Sequence, residues 1–189
     1  MIIDQTEVYG LAEAVAASRL PHQLCAEHLY DDVKKSMNTA TKLARNPSNS
    51  GHPNFLKGIT VNMLVSSTIK WWNQAQRYSH FVIVSSTSTM HCIERMVSDD
   101  ACWGERVLPE TKELCHTLLD KYHENLINFD TFIDNIPLGI ELTAMVTTNY
   151  MQLRIIYNQR KLHKYAEWAT FCDWIEHLPH ATEFITNAN

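Results

Sequence analysis

The chain has 189 residues, about one average domain. Sixteen Lys plus Arg against twenty-one Asp plus Glu give a net charge of −5, and 45% of residues are hydrophobic. Those values exclude a disordered chain and argue against a basic surface for a nucleic-acid polymer. Five glycines and six prolines are too few for the usual glycine-looped nucleotide folds or an all-β sandwich.

Residues Met1 to Gln5 carry no basic region and no long apolar run, so a signal peptide is not expected. Apolar stretches such as Phe81-Val82-Ile83-Val84 are far too short to span a bilayer. The five cysteines, Cys25, Cys92, Cys102, Cys115 and Cys172, are odd in number and form no Cys-x-x-Cys pair. That usage points to reduced thiols in a cytoplasm.

In chain order, Ile3 to Val8 predicts a short strand broken by Gly10. Leu11 to about Leu20 predicts a helix stopped by Pro21. Leu29, Val33, Met37 and Leu43 predict a second helix from Ala26 to about Arg45, with Asp31, Asp32, Lys34 and Lys35 on its wet face. Residues 46–54 read as loop. Phe55 to Thr68 is β-like, Ile69 to Arg77 a short helix, and Ser79 to Ser85 a strand buried on both faces. A helix follows from Thr89 to about Val97. Pro109 opens a long helix that runs past Phe129. Leu142 to Ile175 predicts the longest helical stretch, broken near Lys164-Tyr165 and stopped by Leu178-Pro179. The class is α+β, one domain over 1–189, with several helices around a small sheet.

Two constellations can carry chemistry. In the first, a strand runs into Ser85-Ser86-Thr87-Ser88-Thr89-Met90-His91 and then a helix. A helix start offers unpaired N–H groups to an anion, and Ser86 and Ser88 would add donors; alternatively Thr87 or Ser88 simply caps the helix. In the second, Asn149, Leu153, Ile156, Arg160 and His163 follow helical steps and share a face, beside a stripe of Tyr150, Arg154, Tyr157 and Lys161. Its cationic end suits a phosphate or carboxylate, or is an ordinary solvated face. Zinc, a serine hydrolase and a cysteine nucleophile all lack their signatures, and no metal site is expected. The tryptophans read as core and interface residues rather than as a stacking platform.

The strings Ser50-Gly51-His52-x-x-Phe55-Leu56, Gln76-Arg77-Tyr78, Ser85-Ser86-x-Ser88-x-Met90-His91, Thr147-Thr148-Asn149-Tyr150 and Gln159-Arg160-Lys161-x-His163, with the tail Glu167-Trp168, resemble phage-encoded proteins related to flavin-dependent thymidylate synthase over residues 50–180. The resemblance implies an α+β fold with a small, mainly antiparallel sheet. It implies a homotetramer with sites between subunits, FAD as cofactor, and C5 methylation of a pyrimidine deoxynucleotide. Arg77 matches the first arginine of the family's Arg-His-Arg. Tyr78 stands in place of the histidine, and Ser79 or His80 in place of the second arginine. Ser88 matches the serine of Ser-x-Arg-Tyr, while Met90 and His91 replace Arg-Tyr. Arg160 matches the late-helix arginine that polarises the pyrimidine and is the candidate catalytic residue. Arg77, His80, Ser86, Ser88, His91, Asn149, Arg154, Arg160 and His163 are the expected ligand-binding set, with His80, His91 and His163 making up in part for the missing guanidiniums. Two functions of different class follow: a flavin-dependent enzyme of nucleotide metabolism, or a non-catalytic protein that sequesters a nucleotide or nucleotide-derived immune signal against host defence. Either would sit in the host cytoplasm.

Overall fold

The structure is a computed structural model that describes residues 1–23 and 29–187. Four strands, β1 (Ile2–Tyr9), β2 (Thr60–Thr68), β3 (Val82–Ser86) and β4 (Glu141–Asn149), form one sheet in the order β1-β2-β4-β3, with every pair antiparallel. Along β2 the residues Val61, Met63 and Val65 alternate inward and are fully buried, as their period of two requires. The opposite sheet face, carrying Thr60, Asn62, Leu64 and Ser66, is only half-buried.

β4 overturns the expected helix from Leu142. Thr143, Val146, Thr147 and Thr148 are β-branched, and Ala144, Val146 and Thr148 are the buried alternates. All nine β4 residues register against β2, from Thr60 opposite Asn149 to Thr68 opposite Glu141, while β3 pairs along the other edge. Hydrogen bonding on both edges outweighs a helical spacing of Leu142, Met145 and Asn149. β3 is likewise not buried on both faces. It is an edge strand, and Val82 and Val84 remain 53% and 62% exposed, with a register shift between Ile83 and Ser85.

The helices are α1 (Leu11–Ala17), α2 (Val33–Ala44), α3 (Ile69–Ala75), α4 (Thr89–Ser98), α5 (Pro109–His123), α6 (Phe129–Asp134), α7 (Tyr150–Arg160) and α8 (Ala166–Glu176). α2 starts later than its spacing predicts because Asp32 caps it, accepting from the Lys35 N–H at 2.8 Å. The predicted start at Ala26 lies outside the described residues. Gly51 opens a 3₁₀ segment, His52–Gly58, that takes in Phe55 and buries Leu56, so β2 begins five residues later than expected, at Thr60. α5 ends at His123, where Asn125 takes φ +58°. The chain then folds back, so that Tyr122 stacks on Phe132 of α6 with centroids 5.5 Å apart.

One core packs the inner sheet face against α3, α7 and α8 through Trp71, Trp72, Leu153, Ile156, Trp168 and Phe171. A second joins α4, α5 and α6 through Ile93, Val97, Leu119 and Phe132. Leu142 packs against both.

Candidate functional site

α7 runs from the end of β4 to Arg160. Asn149 caps it, accepting from the Gln152 N–H at 2.9 Å. Leu153 and Ile156 fix its register by sinking into the core, which leaves Arg160 one turn further on at the rim. The guanidinium is held on several sides. Its Nε donates to the Tyr78 hydroxyl at 2.8 Å, and its Nη1 donates to Gln74 Oε1 at 3.3 Å. Its flat face lies 4.5 Å from the centroid of Trp168. The supports are themselves tied. Trp168 Nε1 donates to the same Gln74 oxygen at 3.0 Å, and Tyr78 donates its proton to Gln159 Oε1 at 3.0 Å. Among the described residues Nη2 has no hydrogen-bond partner and stands open as a donor for a ligand.

Trp168 is placed by the residue before it. Glu167, buried in the first turn of α8, accepts from Ser67, from Thr68 and, at 3.1 Å, from the Tyr165 hydroxyl. The three hydroxyls together satisfy that carboxylate and pin α8 to the end of β2. Burial raises the Tyr165 hydroxyl above its ordinary value, which keeps it a donor. His163 joins the same cluster, its ring 6.3 Å from that of Trp168. Its Nδ1 accepts from the Tyr165 N–H at 3.1 Å, so in the neutral ring Nε2 carries the proton. Burial first, then the charges of Arg160 and Lys164, hold His163 below the ordinary histidine value.

His80 and Asn149 meet at a different place, a cleft of about 280 Å³ beside the α7 start, whose walls include Ser48, Lys57 and Gln152. The His80 N–H donates to Gln152 Oε1 at 3.2 Å. Lys57, His80 and Ser48 bring an ammonium, an imidazole and a hydroxyl to its walls, a donor set suited to an anion.

The remaining expected residues lie apart from these two groups. Thr87 is anchored to β4, its N–H donating to the Thr143 carbonyl at 2.8 Å. Ser88 starts α4 through its carbonyl, and its hydroxyl makes no capping bond. Ser86, His91 and Arg77 are exposed. Arg154 is turned inward and is 1% exposed, its Nη1 and Nη2 donating to the Ala44 and Asn46 carbonyls at 2.7 Å each. It braces the loop that carries Ser48, where the helical spacing placed it in the ligand set.

Gln74, Gln159 and Trp168 belong to the Arg160 cluster and lie outside the expected ligand-binding set. The four-residue step from Gln74 to Tyr78 was the only sequence sign of the first, and Trp168, fully buried as expected of a core residue, also carries the guanidinium. Among the described residues no three His, Cys, Asp or Glu side chains gather to hold a metal, and no helix is long and apolar enough to cross a membrane.

No family model and no curated protein matches this chain. Solved structures do. Two structures of flavin-dependent thymidylate synthase from Helicobacter pylori, both with FAD and dUMP, superpose with TM-scores of 0.75 and 0.74 at 15% and 14% identity. The alignments cover 97% and 98% of this chain and 98% and 97% of theirs. The chain has the fold of flavin-dependent thymidylate synthase. A UMP/dUMP methylase from Streptomyces cacaoi, bound with 5-Br dUMP, matches at TM-score 0.62 and 11% identity over 93% of this chain and 88% of that one. The flavin-dependent thymidylate synthase fold is therefore present here with little sequence in common with these neighbours, and the α+β class with a small antiparallel sheet stands.

Proposed function

We propose that this chain binds a pyrimidine deoxynucleotide with its ring at Arg160, and modifies C5 of that ring with FAD as cofactor. The observation that carries the reading is the Arg160 cluster, a guanidinium fixed on Trp168 and presenting Nη2, in a fold whose solved neighbours hold dUMP, FAD or 5-Br dUMP.

Reaction at C5 of a uracil ring moves negative charge onto the ring oxygens. Nη2 donates to one of them, and that bond strengthens as the charge grows. Because Tyr78, Gln74 and Trp168 already hold the side chain, little reorganisation is needed at that moment. The Nε2–H of His163, whose ring lies 6.3 Å from that of Trp168, is a second donor for the ligand.

The cleft at the α7 start suits phosphate oxygens by its donors, Lys57, His80 and Ser48. Its volume, just below the usual range for a small-molecule pocket, fits a portion of a flavin dinucleotide. Bound there, the flavin would supply the redox chemistry of the reaction. Arg77, Ser86, Ser88 and His91 are free of side-chain hydrogen bonds within the described chain, and we assign them to ligand contacts completed by neighbouring subunits of a homotetramer.

The test is a titration of the purified protein with dUMP and with FAD, for wild type and Arg160→Ala. A flavin absorbance band, and dUMP binding that R160A weakens at least tenfold, are expected. Absence of flavin binding overturns the cofactor assignment, and absence of dUMP binding overturns the nucleotide. The departures at Tyr78, Met90 and His91 support a second reading, a protein that sequesters a nucleotide unchanged. Recovery of unaltered nucleotide after denaturation of the loaded, reduced protein, supplied with a one-carbon folate donor, would favour it.

A further inference from the structure

The way Arg160 is held restricts what it can bind. A guanidinium offers paired oxygens two forks, one of them side-on through Nε and Nη2. Here the Tyr78 hydroxyl occupies Nε at 2.8 Å. Gln159 takes the hydroxyl proton at 3.0 Å, which turns the tyrosine lone pair toward Arg160. Gln74 occupies Nη1. Along the side-on edge a ligand meets Nη2 alone.

We propose that Tyr78 is the positioning and specificity residue of this site: its hydroxyl closes the side-on fork of Arg160, so that along this edge the guanidinium offers one donor, to a single ring carbonyl oxygen, and not a pair to the two oxygens of a phosphate or carboxylate. The proposal rests on the nucleotide reading above. It also accounts for a tyrosine where the resembling family has histidine. The phenol reaches Arg160 through its hydroxyl while its ring packs edge-on to Trp168, with centroids 6.1 Å apart.

Tyr78→Phe keeps the ring and removes the oxygen. The full-length wild type and Y78F are titrated with dUMP and with 5-carboxy-dUMP, which adds a two-oxygen anion to the same ring. Arg160 Nε–H is followed by NMR on arginine-labelled protein. In Y78F we expect dUMP to weaken about tenfold, the ratio of the two affinities to shift toward the carboxylated ligand by a similar factor, and the Nε–H signal to be lost to fast exchange. A merely structural role weakens both ligands alike. An unchanged ratio therefore overturns the selectivity, and an unchanged Nε–H signal overturns the clamp. If wild type binds neither ligand, the nucleotide reading fails and takes the selectivity with it, while the Nε–H signal still decides whether Tyr78 holds Arg160.

Discussion

Arg154 separates a folding role from a binding role. Substitution by methionine preserves much of the buried volume and removes the bonds to the Ala44 and Asn46 carbonyls, each 2.7 Å long. Ala44 is fully buried, so its carbonyl loses its partner without access to water. A buried acceptor left unmet costs about 1–3 kcal/mol, and a part-buried one about half as much. Removing a cation from the interior returns some of its desolvation cost. The net loss is about 1–4 kcal/mol. In urea, with a slope of roughly 2–3 kcal/mol per molar, the unfolding midpoint of R154M should fall by about 1 M at unchanged slope. The loop holding Ser48 should also exchange its amides faster, while dUMP binding at Arg160 stays near wild type. An unchanged midpoint together with weakened FAD or dUMP binding would refute the reasoning and return Arg154 to the ligand set.

Three further outcomes follow from single residues. His163, held below the ordinary value by burial, leaves the unfolded chain with more bound protons at mildly acidic pH. Its contribution to stability is therefore full above about pH 6.5 and declines as pH falls toward the folded value. An NMR titration of its ring should give a midpoint below free histidine, and H163N should flatten that part of the pH–stability curve. Burial pushes the Cys172 thiol up to about 11. Native labelling near pH 8 followed by peptide mapping should leave Cys172 unmodified until urea is added. Gly10 sits at φ +72°, where an added Cβ would lie 2.5 Å from the Gly58 carbonyl oxygen. Gly10→Ala should cost about 2 kcal/mol, measured by the same urea titration.

Local features of the sequence were enough to place several elements. The strand before Gly10, the short helix of Trp71-Trp72 and the helix from Thr89 lie where period and punctuation put them. The helical steps from Leu153 to Arg160 likewise lie on one helix, α7. β4 was not legible in the same way. Its spacing fits a helix, and what makes it a strand is pairing with β2, some eighty residues earlier. β3 reads as a doubly buried strand for the same reason, since nothing within Phe81-Val82-Ile83-Val84 reveals that it lies at the sheet edge.

The sequence by itself determined the class of fold, the glycine-poor and mildly acidic chain that carries it, and a cationic residue at the end of a late helix. Only the tertiary structure decided what that residue can do. The partners of Arg160 on α3 and the turn after it, Gln74 and Tyr78, lie 86 and 82 residues away in the chain. Arg154, six residues earlier on the same helix, is turned instead to carbonyls at and just beyond the end of α2. Helical period fixes which side of α7 a residue occupies, but the elements packed on each side determine whether a guanidinium there faces a ligand or braces the fold.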